Sequence, residues 1–124
     1  MNTNNYIRLG DTAEFLFDAI AVRLGFIVNR PIHAGTIYDR ILDINNRFVR
    51  VQIKCVTKDN HFGGVEIRVK RHNNEAYPVD RVDVIAVYAL QRDAWYFFKN
   101  KGLSSLYVRK NAIKDNWDIF YETV

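Results

Sequence analysis

Residues 38–56, YDRILDINNRFVRVQIKCV, read as two extended arms joined at Asn45-Asn46. Asn tolerates the left-handed backbone that a tight hairpin turn demands, and apolar residues alternate with polar ones along the second arm. Strand side chains alternate faces, so Arg50, Gln52 and Lys54 share one face while Val49, Val51 and Ile53 share the other. A hairpin closing symmetrically about the Asn pair sets Asp39 opposite Gln52 and diagonal to Lys54. Directly opposed Cβ atoms lie about 4.5–5.5 Å apart and diagonal ones about 7–8 Å. An acid, an amide and an amine at those separations can hold a divalent cation and a phosphate oxygen together. The same pattern is also that of an ordinary solvated hairpin face.

Upstream of the hairpin, Asp11 is placed to cap a first helix, with Glu14 three residues on where its side chain can reach back to the cap, and Gly25 to stop it. Ala13, Leu16, Phe17, Ile20 and Leu24 recur at three- and four-residue steps, an apolar stripe that must face a sheet. Glu14 borders that stripe, and its role is open between a capping box and the chemistry of the site. Phe26-Ile27-Val28 is a short strand ending before Pro31, and residues 32–37 form a loop into the hairpin that carries His33, a surface residue within possible reach of a phosphate.

Downstream, Gly63-Gly64 reads as a turn, after which Val65, Ile67 and Val69 alternate with Glu66, Arg68 and Lys70. Lys70, Arg71 and His72 make a basic cluster suited to contacting a phosphate backbone, which fixes position without reading sequence. The run from Val82 to Tyr88 is apolar apart from Asp83, as in a strand covered on both faces, and Ala94 to Phe98 is its neighbour across a Gln91-Arg92-Asp93 turn. The aromatics here are read as core or oligomer packing, since no base-stacking signature surrounds them. Residues 102–124 are too apolar for a free tail and either pack on the domain or form a subunit interface.

A chain of 124 residues suits one domain, spanning residues 1–124. Its net charge of +4 favours an anionic partner. Cys55 is the single cysteine, so no intramolecular disulfide forms and no Cys-His set has zinc spacing; the expected compartment is reducing. The N-terminus lacks a basic segment followed by an apolar run, and no apolar stretch approaches the ~20 residues a membrane helix needs. The expectation is a cytoplasmic or other intracellular protein with no membrane partner.

The helix GDTAEFLFDAIAVRLGF carrying Glu14, the YD…VQIK hairpin and the later YPVDRVDVIAVYALQRDAWYFF segment together resemble the PD-(D/E)xK nuclease superfamily, closest to the branch of small endonucleases encoded in group I introns. Two positions depart from that pattern. Tyr38 stands where the superfamily has Pro, and Gln52 stands where it has Asp or Glu. The resemblance implies an α/β fold with an αβββαβ core, a mixed sheet flanked by helices. It also implies metal-dependent hydrolysis of DNA phosphodiesters, with Mg²⁺ as cofactor and Mn²⁺ able to substitute. Asp39 is the first expected ligand, Glu14 the second and the Ile53 carbonyl a third, with Gln52 a weak ligand or water-orienting amide and Lys54 beside the attacking water. Lys58, Arg68, Lys70, Arg71 and His72 are the expected contacts to double-stranded or branched DNA. Cutting both strands needs two copies, hence a homodimer or tetramer. A Holliday-junction resolvase of the same fold, a nucleic-acid-binding module left inactive by Gln52, and a structural partner in a larger complex are the alternatives.

Overall fold

The computed structural model describes residues 3–33, 35–58, 64–71 and 73–122. The chain runs α1 (Thr3–Arg23), β1 (Ile27–Asn29), β2 (Arg40–Ile44), β3 (Arg47–Val56), β4 (Val65–Arg68), β5 (Val84–Ala89), a single 3₁₀ turn (Leu90–Arg92), β6 (Ala94–Lys99), β7 (Ser105–Val108) and α2 (Ile119–Glu122). A five-stranded sheet takes the order β1-β2-β3-β5-β6, and β4 pairs with β7 in a separate ribbon. Within the main sheet β3 and β5 are parallel and the other neighbours antiparallel.

The hairpin forms as its residues dictate. Asn45 and Asn46 both have positive φ, 53° and 65°, the geometry whose twist matches the flanking strands. Arg40 pairs with Val51 and Ile44 with Arg47, the symmetric closure expected from the sequence. Leu42, Ile44, Val49, Val51 and Ile53 are buried on one face.

Helix α1 differs from the expectation. It starts at Thr3, so Asp11 lies inside it and caps nothing. Residues 3–10 contain no proline, and Gly10 costs only about 1 kcal/mol against Ala, too little to break a helix with a buried face. The Thr12 hydroxyl donates to the Arg8 carbonyl at 2.7 Å, one turn back along the same helix. The stripe is also narrower than the apolar pattern suggested: Ala13, Phe17 and Ala21 are buried and Ile20 partly so, whereas Leu16 and Leu24 are 37% and 43% exposed. Gly25 does end the helix. With φ at +91° it donates to the Val22 carbonyl at 3.0 Å while the Phe26 N–H reaches Ala21 at 3.0 Å, a paired closure that satisfies two terminal carbonyls.

The core has two layers because β5 is buried on both faces. Val84, Ala86 and Tyr88 pack with Ala13, Phe17, Ala21, Trp95, Trp117 and Phe120 beneath the helices. Ile85, Val87 and Ala89 pack with Val65, Ile67, Val69, Tyr77 and Val108 beneath the β4-β7 ribbon. The C-terminal region thus packs on the fold through Trp117 and Phe120, with Val108 closing the opposite layer. The mixed sheet flanked by helices is the α/β fold expected; between β3 and its parallel neighbour β5 the described residues hold strand β4, as Val65, Ile67 and Val69 indicated, followed by turns. No helix among the described residues is long and apolar enough to cross a membrane.

Candidate active site

Strand β2 begins at Arg40, whereas its partner β3 runs on to Val56, so the sheet edge has a notch where Asp39 enters. The Asp39 N–H donates to the Val51 carbonyl at 2.8 Å, and its Oδ2 accepts the Ile53 N–H at 2.8 Å. A strand residue's N–H and C=O point to the same edge, so the Ile53 carbonyl faces the notch as well. One carboxylate oxygen is thereby fixed by backbone and the other remains for a ligand.

Two hollows meet at Asp39. One, of about 620 Å³, is lined by Glu14, Arg30, His33, Thr36, Asp39 and Arg40 among others. The second, of about 450 Å³, is lined by Thr36, Asp39, Gln52, Lys54, Lys70, Arg71 and Tyr77 among others. The polar patch expected from the hairpin is therefore present, and the basic cluster reaches it through Lys70 and Arg71. Glu14 comes to Asp39 from the helix side of the sheet. Two expected DNA contacts, Lys58 and Arg68, are exposed but line neither hollow. His72 and Gly63 lie outside the described residues.

Burial, followed by the charge of Asp39, raises the Glu14 pKa, while Arg40 pulls it back. Burial also raises the Asp39 pKa against the opposing pull of the Ile53 N–H, Arg40 and Lys54. The charge of Asp39 thus disfavours that of Glu14, a penalty of the kind that a nearby cation relieves. Among the described residues no three His, Cys, Asp or Glu side chains cluster, so the acidic donors here are these two. Together with the Ile53 carbonyl, these are hard oxygen donors of the kind that could hold a divalent cation. The Lys54 ammonium sits 5.0 Å from the centre of the Tyr77 ring, which orients it over an apolar wall. Tyr77 is held in turn by Asn100, whose amide donates to the Tyr77, Pro78 and Val82 carbonyls at 3.1, 3.3 and 3.0 Å.

Arg40 is the residue that sequence reasoning missed. It is 2% exposed, with Nε and Nη2 on the two Asp18 carboxylate oxygens at 2.7 and 3.0 Å, and Nη1 on Glu14 Oε1 at 2.9 Å and the Asp39 carbonyl at 2.7 Å. Of the two roles open to Glu14, capping is excluded because α1 begins at Thr3 and Glu14 lies well inside it; one of its oxygens is committed to Arg40. A signal existed, since Arg40 alternates in phase with the core residues Leu42 and Ile44, and Glu14 and Asp18 are one helical turn apart. Arg50, on the same strand face as Gln52 and Lys54, is tied to Asp83 at 2.9 Å and is withdrawn from the site. Arg81 lines a further hollow that shares Gly35, Thr36, Ile37 and Arg71 with the second one.

A family model described as PD-(D/E)XK endonuclease matches residues 1–116. Among curated proteins none matches significantly. Among solved structures, the bacterial homing endonuclease I-Ssp6803I superposes with a TM-score of 0.78 at 18% identity, covering 92% of this chain and 91% of its own.

Proposed function

The chain belongs to the PD-(D/E)XK endonuclease family, and we propose that it is a metal-dependent endodeoxyribonuclease, one 124-residue domain per active site, of the homing type. The observation that carries this reading is the position of Asp39 between Glu14 on one side and Gln52, Lys54, Lys70 and Arg71 on the other. Asp39 and Glu14 would hold Mg²⁺, or Mn²⁺ in its place, with the Ile53 carbonyl. When bound, the ion lowers the pKa of a water and neutralises charge on the phosphoryl oxygens. Gln52 supplies a neutral amide where the family pattern has an acid, so its oxygen orients water more than it binds the ion. Lys54 favours hydroxide beside the scissile phosphate and stabilises the charge that develops there.

Around that centre Lys70 and Arg71 carry the flanking phosphates, with Lys58 and Arg68 as outer contacts. Each site cuts one strand, so a homodimer or tetramer would cleave a duplex. The test is plasmid nicking in Mg²⁺ or Mn²⁺ against an EDTA control, with Asp39→Asn and Lys54→Ala losing cleavage while DNA affinity stays within several-fold. Unchanged cleavage by either variant at saturating Mg²⁺ refutes the site. Binding without nicking by the native protein would make it an inactive DNA-binding module, and preferential cutting of four-way junctions over linear duplex would make it a resolvase.

A further inference from the structure

The geometry points to Arg40 as a positioning residue that sets the separation of the two metal-binding carboxylates, with Asp18 as its anchor; this rests on the nuclease reading above. Glu14 belongs to a helix and Asp39 to the start of a strand, and no bond between the two side chains relates them. The charge of Asp39 disfavours that of Glu14. Arg40 bridges them. Its Nη1 donates at once to Glu14 Oε1 at 2.9 Å and to the Asp39 carbonyl at 2.7 Å, so a single nitrogen ties the helical acid to the strand residue that bears the other.

What fixes that nitrogen is the far side of the guanidinium. Nε and Nη2 meet Asp18 in a two-point contact, at 2.7 and 3.0 Å, which determines the plane of the group as well as its place. Asp18 lines neither hollow at Asp39. It acts on the site only through Arg40. Arg40 is 2% exposed where it borders the first hollow, so little of it is open to water that would compete for these bonds. Glu14 Oε1 is consumed by this bond, which leaves Oε2 as the oxygen it presents. Arg40 thus serves two ends: it offsets carboxylate repulsion in the ion-free protein, and it preorganises the pair so that binding a cation requires no rearrangement of the helix against the sheet. A lysine at this position keeps the charge but cannot make the two-point contact, so it does not fix the plane.

The experiment measures Mn²⁺ binding to the intact protein without DNA, by calorimetry, alongside thermal melting and the Mg²⁺ dependence of nicking. Arg40→Lys and Asp18→Asn are expected to weaken Mn²⁺ binding about tenfold and to raise the Mg²⁺ needed for half-maximal nicking in parallel, while the fold is retained. Ile44→Val, a buried change on the same strand that touches neither carboxylate, provides a control that lowers melting temperature with no change in Mn²⁺ affinity. Native-like Mn²⁺ affinity in folded Arg40→Lys and Asp18→Asn would overturn the inference and leave the nuclease reading standing. Failure of the native protein to bind Mn²⁺ at millimolar concentration would overturn both.

Discussion

Ionising Asp39 works against the fold, because burial raises its pKa more than the Ile53 N–H, Arg40 and Lys54 lower it. The sign follows by linkage: a carboxyl whose folded pKa lies above its unfolded one takes up protons more readily when folded, so its penalty is fully present above the folded pKa and is lost as pH falls through it. Asp39→Asn keeps an oxygen for the Ile53 N–H and removes the charge. It should melt higher than the native protein at pH 7, with the difference shrinking as pH is lowered; a lower melting temperature at pH 7 would contradict the burial argument. At Gln52 the expectation runs the other way. Gln52→Glu adds a carboxylate to the hollow shared with Asp39 and Lys54 and should lower the Mg²⁺ concentration for half-maximal cleavage several-fold, read from nicking rates against metal.

Two elements bring the site together, the hairpin and α1, and each depends on one local requirement. In the hairpin, the left-handed conformation at Asn45 and Asn46 sets the alignment that places Asp39 beside the extended end of β3. Asn46→Val forces a β-branched residue to φ near 65° and should cost about 1–2 kcal/mol in denaturant unfolding, whereas Asn46→Gly should be tolerated. In α1, Phe17 lies at the centre of a ring cluster, with centroids 5.7 Å from Trp95, 5.2 Å from Trp117 and 6.2 Å from Phe120. It anchors the helix that carries Glu14 and Asp18. Phe17→Ala should destabilise by about 3–5 kcal/mol, measured by urea titration, because a fully buried ring leaves a cavity its aromatic neighbours cannot fill.

At the scale of the whole molecule, the site lies at the start of β2, where that strand begins beside the longer β3, with Glu14 of α1 reaching one hollow and Lys70 and Arg71 the other. Cations flank the two carboxylates on both sides, Arg30 in one hollow and Lys54, Lys70 and Arg71 in the other. With one such centre per chain, double-strand cleavage calls for self-association, and light scattering at micromolar concentration should report a dimer or larger; a monomer alone would remove this part of the mechanism.

Much of this architecture was legible because it is encoded over short range. Alternation in residues 47–54, the Asn pair and Gly25 each express a backbone preference that neighbours alone satisfy, so the hairpin, its alignment and the end of α1 follow from the sequence. The start of α1 was not legible, since an Asp followed three residues later by Glu signals a cap only when the preceding turn is not already helical. What only the tertiary structure decided lies between distant segments: Glu14 and Asp18 bonding Arg40 from 26 and 22 residues away, β3 lying parallel to β5, and β4 pairing with β7 apart from the main sheet. Buried charge is the physical reason for the first of these. A guanidinium carried into the core by strand alternation has to find carboxylates there, and which ones it finds depends on how the helix packs on the sheet.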